Sequence, residues 1–140
     1  MCNRCKYMKL IIHYHKTILL TFLILFLSLY NFRDVYPVVQ RIPYADKIVH
    51  FLMYFGITLV FLFEHYIETW KMNKKDYVMN FYPLILGGLI EIIQGVFTES
   101  RSGDWYDFIA DLSGIMIANI FFLMIKDVKF FIAVIKFPFK

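Results

Sequence analysis

Four apolar runs, each about as long as a bilayer core is thick, leave this chain few ways to fold. They cover Leu10 to Tyr30 (uninterrupted from Thr17 to Leu29), Ile48 to Tyr66, Val78 to Phe97 and Phe108 to Ile125. A helix needs ~20 apolar residues to cross hydrocarbon. Lipid offers the backbone no hydrogen bonds, so each run is predicted to be a helix. A fifth stretch, Val128 to Phe139, is shorter and carries Lys129, Lys136 and Pro138; it reads as an interfacial helix with snorkelling lysines. The connections are short, which predicts antiparallel neighbours and leaves no room for a second domain. The expected fold is all-α, a polytopic membrane bundle of four transmembrane helices with a short C-terminal interfacial helix. Residues 1–9 form a cytoplasmic leader, 10–127 the membrane domain and 128–140 a cytoplasmic interfacial tail.

Composition excludes the common alternatives. The 140 residues are 60% hydrophobic and 20% aromatic, far beyond an ordinary soluble domain of this size. The net charge of +4 does not point to nucleic acid, because the basic residues lie between apolar runs and form no single patch. Cys2 and Cys5 make a lone CxxC; with His13 and His15 the nearest further ligands, two reduced thiols describe it better than a closed zinc site. No small-x-small cleavage site follows the first run, which therefore reads as a retained signal anchor.

Lysine and arginine set the orientation. Arg4, Lys6, Lys9, Lys16, Lys71, Lys74, Lys75, Lys126, Lys129, Lys136 and Lys140 fall on one side; Arg33, Arg41, Lys47 and Arg101 fall on the other. The positive-inside rule makes both termini cytoplasmic in a multi-pass protein of a bacterial inner (plasma) membrane. The acids run the opposite way. Asp34, Asp46, Glu91, Glu99, Asp104, Asp107 and Asp111 lie on the outer half, against Glu64, Glu68, Asp76 and Asp127 on the inner half. Glu64 and His65 read as interfacial residues of the inner end. Acids contribute little to topology, so the outer cluster needs another reason.

Depth supplies one. At ~1.5 Å per residue, His50, Glu91 and Asp111 all lie roughly 5–10 Å below the outer surface, each on a different helix. Lys47, His50 and Tyr54 share a stripe on the second helix; Gly87, Gly88, Glu91, Gln94 and Gly95 share one on the third; Asp104, Asp107, Asp111, Gly114 and Ala118 share one on the fourth. Small residues permit close approach of helices in lipid, and the polar ones then face the interior. The stripes predict convergence on one outward-facing site.

Asp46-Lys47-x-x-His50-Phe51-x-x-Tyr54, then Gly88-x-x-Glu91-x-x-Gln94, then Arg101 and Asp107-x-x-x-Asp111-x-x-Gly114 occur in that order. This succession resembles the VanZ-like family of small membrane proteins over roughly Asp46 to Gly114. Many members carry Asn at the position of Asp111, so this chain places an extra carboxylate there. The namesake is associated with low-level resistance to the glycopeptide teicoplanin, and the resemblance implies a role at the cell envelope.

Structural roles compete with functional ones. Asp46, Asp104 and Asp107 sit where carboxylates cap helix N-termini, and Arg101 could pair with one of them. Gln94 and Tyr54 suit interhelical hydrogen bonds, and Trp105 and Tyr106 an aromatic belt. Glu91 and Asp111 lie too deep to be caps, which favours function. His50 fits either role. Five carboxylates face Lys47 and Arg101, so some must bind protons or a cation must enter. A divalent cation with oxygen ligands and His50 would serve, although the spacing carries no diagnostic metal motif and no cofactor is called for.

Two functions remain open. One is a binding protein whose outward cleft takes a lipid, a lipid-linked cell-wall precursor or a glycopeptide, with Asp46, Lys47, Tyr54, Gln94, Arg101, Asp104 and Asp107 as its lining. The other is an intramembrane enzyme on a lipid or lipid-linked substrate, with His50, Glu91 and Asp111 as the acid, base or metal ligands. No nucleophile motif stands beside them. Ion-coupled transport ranks below both, because the polar residues do not continue across the membrane. The sequence fixes no oligomeric state.

Overall fold

The computed structural model describes residues 11–29, 44–69, 81–97 and 105–137, and these are helical with short turns. We name the helices α1 (His15–Leu29), α2 (Ala45–Thr69), α3 (Phe81–Phe97), α4 (Trp105–Ile125) and α5 (Lys129–Lys136). Residues 11–13 are also helical and reach α1 through a turn at Tyr14. The leader with Cys2 and Cys5, and the site candidates Arg101 and Asp104, lie outside the described residues. The all-α expectation is met. Ala45–Ile67 and Trp105–Ile125 are long and apolar enough to cross a membrane, whereas the apolar helices His15–Leu29 and Phe81–Val96 are shorter.

The axis of the molecule is the pair α2 and α4. Along α4 the buried residues Asp107, Asp111, Gly114, Ala118 and Phe122 recur every three or four positions and form one stripe. Gly114 shows how closely the two helices meet. A Cβ there would lie 2.5 Å from the Phe51 carbonyl oxygen and 3.1 Å from the Phe55 nitrogen, both backbone atoms of α2. Only a residue without a side chain fits, and this contact lies one turn from Asp111 and one residue from His50.

Polarity is distributed inside out. Thr17, Ser28, His50, Thr58, Glu64, His65, Gln94, Asp107 and Asp111 are buried, while Leu19, Phe22, Phe26, Ile85, Ile92, Met116, Ile120 and Met124 are exposed. In water such a surface would be an aggregation hazard. On α1 the inward face is Thr17, Thr21, Ile24 and Ser28, and the Thr21 hydroxyl meets the Tyr82 hydroxyl of α3. The third-helix stripe is narrower than its sequence predicts. Gly87, Ile90 and Gln94 are buried, Glu91 is half-buried, and Gly95 is exposed.

The helix α5 ends at Lys136, and Phe137 is extended (φ −74°, ψ 140°), as a residue before proline prefers. Phe131 and Ile135 pack on Leu62, Phe63, Tyr66 and Phe122, leaving Phe130 and Val134 exposed. The lysine at α1's start reaches across: Lys16 Nζ donates to the carbonyl oxygens of Val134 (3.4 Å), Ile135 and Phe137 (2.5 Å). A cation at the carbonyl end of a helix is favourable both as a donor and towards the dipole.

Glu64 and His65, near the other end of α2, are buried within the bundle. The Glu64 carboxylate sits on the N-terminus of α1, where Oε1 accepts from the Lys16 amide (3.1 Å) and Oε2 from the Thr17 amide (3.1 Å) and hydroxyl (2.6 Å). The Tyr14 hydroxyl and His65 Nδ1 share a hydrogen bond of 2.8 Å, and His13 Nε2 donates to the Glu64 carbonyl at 2.5 Å. Helix N-termini carry unsatisfied amides, and a carboxylate is their best acceptor.

Candidate functional site

The other polar cluster lies at the opposite end of α2. Its first turn presents Asp46 and Lys47, and the next presents His50. The α2 helix follows Tyr44, whose φ of 62° is unusual for a residue with a side chain. Lys47 Nζ donates to Asp107 Oδ1 at 2.8 Å, linking the first turns of α2 and α4. Asp107 is buried and Lys47 partly exposed, so the pair closes the mouth of the cluster.

Deeper in, His50 Nδ1 lies 3.0 Å from Asp111 Oδ1 and 3.9 Å from Glu91 Oε1. His50 is 2% exposed and Asp111 1%. An imidazole N–H donating to a carboxylate fixes both the ring's orientation and its tautomer. Asp111 Oδ2 has no hydrogen-bond partner among the described residues, and neither does the fully buried Tyr54 hydroxyl. Both groups crowd onto Gly87. A Cβ at that glycine would lie 3.0 Å from Asp111 Oδ2 and 3.3 Å from Tyr54 Cε1 and Cζ.

Two triplets of potential ligand atoms share His50. The groups His50, Glu91 and Asp111, and Asp46, His50 and Asp107, each have ligand atoms within 4.8 Å of one another. The structure thus brings together His50, Glu91, Asp111, Asp46, Asp107, Lys47 and Tyr54. Gln94 points elsewhere: its Nε2 donates to the Ser28 carbonyl at 2.7 Å and ties α3 to the last turn of α1. Arg101 and Asp104 lie outside the described residues.

The sequence profile of the VanZ/LLP1 family matches residues 6–126. The chain belongs to the VanZ/LLP1 family. The match takes in α1 and all of α4, so VanZ membership extends beyond the Asp46 to Gly114 stretch that carries the motifs. No curated protein and no solved structure matches the chain.

The polar stripes in the sequence single out the residues that converge, but they pass over the Glu64 cluster. A signal for it exists in the sequence. His50, Tyr54, Ile57, Phe61 and Glu64 follow steps of four and three, so the stripe that buries His50 also buries Glu64. Thr58 was missed as well; it is fully buried and its Oγ1 has no partner among the described residues.

Proposed function

We propose that this VanZ-family chain is a four-span protein of the bacterial plasma membrane, with both termini cytoplasmic. In this reading an outward-facing acidic and histidine-bearing pocket binds a lipid or a lipid-linked cell-wall component, in a role like that of glycopeptide resistance. The observation that carries the reading is the buried His50–Asp111 pair with Glu91 beside it. Ionisable side chains inside an apolar bundle are costly, and they mark functional sites unless fully satisfied. The exposed apolar faces of α1, α3 and α4 support the membrane setting. Trp105 and Tyr106, exposed at the Asp107 end of α4, suit a headgroup boundary. Lys47 at the mouth offers a cation to an anionic headgroup, since its pairing with Asp107 leaves it partly exposed.

A second reading is favoured by one feature. An imidazole steered by a buried carboxylate is the arrangement of a general base, which suits acid/base or metal-assisted chemistry on a lipid-linked substrate.

The test is teicoplanin susceptibility of a sensitive host expressing wild type or Glu91→Gln at matched membrane levels. Protection by wild type and its loss in Glu91→Gln is the expected result. Equal protection by both would make the Glu91 carboxylate a packing residue. No protection by wild type would remove the resistance role.

A further inference from the structure

We propose that His50, Glu91 and Asp111 form a binding site for one first-row divalent cation, Zn2+ or Mn2+, inside the bundle. One nitrogen and two carboxylate oxygens are a donor set suited to such ions, and harder cations such as Mg2+ gain little from the imidazole. Spacing supports it. With bonds of ~2.1 Å, neighbouring ligand atoms lie ~3.0 Å apart in an octahedral shell and ~3.4 Å apart in a tetrahedral one. His50 Nδ1 and Asp111 Oδ1 are already 3.0 Å apart, and His50 Nδ1 and Glu91 Oε1 are 3.9 Å apart. Binding would displace the Nδ1 proton now donated to Asp111 and draw Glu91 Oε1 towards His50 by less than ~1 Å.

The second observation is independent of the cluster's composition. Asp111 is almost wholly buried, yet its Oδ2 has no partner among the described residues, and the Tyr54 hydroxyl beside Gly87 has none either. Buried polar atoms are rarely left unsatisfied without a reason. At the other end of α2 the Glu64 carboxylate has partners on both oxygens, so this bundle can satisfy a buried acid when only structure is at stake. An ion held by three ligands keeps a coordination position for water or a substrate oxygen. The Asp46, His50 and Asp107 triplet is the weaker candidate, because the Lys47 ammonium already neutralises Asp107.

The experiment titrates Zn2+, Mn2+ and Mg2+ separately into the purified full chain in detergent. Cys2 and Cys5 are replaced by Ser to remove thiol binding. One equivalent of Zn2+ or Mn2+ per chain is expected, bound at least ~10-fold more weakly after Asp111→Asn, Glu91→Gln or His50→Ala. Asp127→Asn should bind as wild type does. Helical content and elution volume are measured on each variant. Gly87→Ala supplies a variant that keeps every ligand: its methyl crowds Asp111 Oδ2, so affinity should fall with the helices intact. Absence of stoichiometric binding, unchanged affinity in Asp111→Asn, or Mg2+ binding as tightly would each overturn the site. The inference stands apart from the envelope role, since a chain that protects the host without binding an ion loses only this proposal.

Discussion

The two polar clusters at the ends of α2 each hold a buried carboxylate, and the two carboxylates differ in how fully they are hydrogen-bonded. Near Thr69, the Glu64 carboxylate accepts two amides and a hydroxyl from α1, and His65 shares a hydrogen bond with Tyr14. Near Ala45, Asp111 uses one oxygen on His50 and leaves the other, with the Tyr54 hydroxyl, unpaired among the described residues. His50 and Glu64 are fourteen residues apart, about 21 Å along the helix. Between them α2 buries Ile57, Phe61 and Leu62, with Thr58 the one polar side chain from 55 to 63. The lesson is that burial of a charge does not by itself identify a working site. A buried acid with both oxygens hydrogen-bonded is a fastener. One that keeps an atom in reserve is poised for something else.

The sharpest way to break this contrast is to exchange effects. Glu64→Ala strips the acceptor from two helix-terminal amides and should lower stability by about 3 kcal/mol, as loss of one partner from a buried charged network does. Asp111→Asn keeps an oxygen for His50 and should change stability by less than ~1 kcal/mol while weakening ion binding at least ~10-fold. Thermal unfolding in detergent, run beside the functional assays, separates the two. If Asp111→Asn unfolds the chain and Glu64→Ala silences it without unfolding, the assignment of the ends is reversed.

Gly114 tests whether packing sets the site. A methyl placed 2.5 Å from the Phe51 carbonyl oxygen must push α4 from α2, and overpacking of this kind costs ~1–3 kcal/mol. Gly114→Ala should therefore lower the melting temperature and separate His50 from Asp111. At Gly88 a Cβ meets nothing within 4 Å, and alanine is the better helix former. Gly88→Ala should be neutral or stabilising by up to ~1 kcal/mol. Equal effects at the two glycines would mean that the close approach of α2 and α4 is not what holds the site.

Much of this was legible in the sequence, for physical reasons. Period and length predict helices, and the start of α4 at Trp105 and the end of α3 at Phe97 fall where the polar residues and apolar runs place them. Convergence of His50, Glu91 and Asp111 followed because each lies at one depth on a polar stripe. Partner choice was less accessible. Gln94 shares Glu91's side of α3 by spacing, yet it bonds to a carbonyl of α1, and no pattern in a purely apolar stretch announces a backbone acceptor. Glu64 nears the end of an apolar run, which says nothing of its partner; that partner is the N-terminus of α1, a group that carries no side-chain signature.

Lys47 offers a smaller effect. Its ion pair with Asp107 is partly exposed, so Lys47→Met should cost no more than ~1 kcal/mol of stability. Any loss of protection beyond that would have to come from the pocket mouth. A fall in melting temperature matching that of Glu64→Ala would instead make the pair a fastener like its counterpart at the far end.

The smallest expected effect belongs to the turn after α4. Asp127 accepts from the Tyr66 hydroxyl at 2.7 Å, and this bond, with Lys126 beside it, holds its carboxyl below the usual carboxylate range. A depressed acid contributes stability above its unfolded value and loses it as pH falls through the folded one. Asp127 is fully exposed, so solvent screens the contribution and the effect is slight. Tyr66→Phe should flatten the acid limb of the melting-temperature profile without altering its neutral plateau by more than the loss of one surface hydrogen bond. A large acid-side change in that variant would show that the Glu64 end depends on the turn between α4 and α5. Its stability would then be shared across this end of the bundle rather than held by the Glu64 carboxylate.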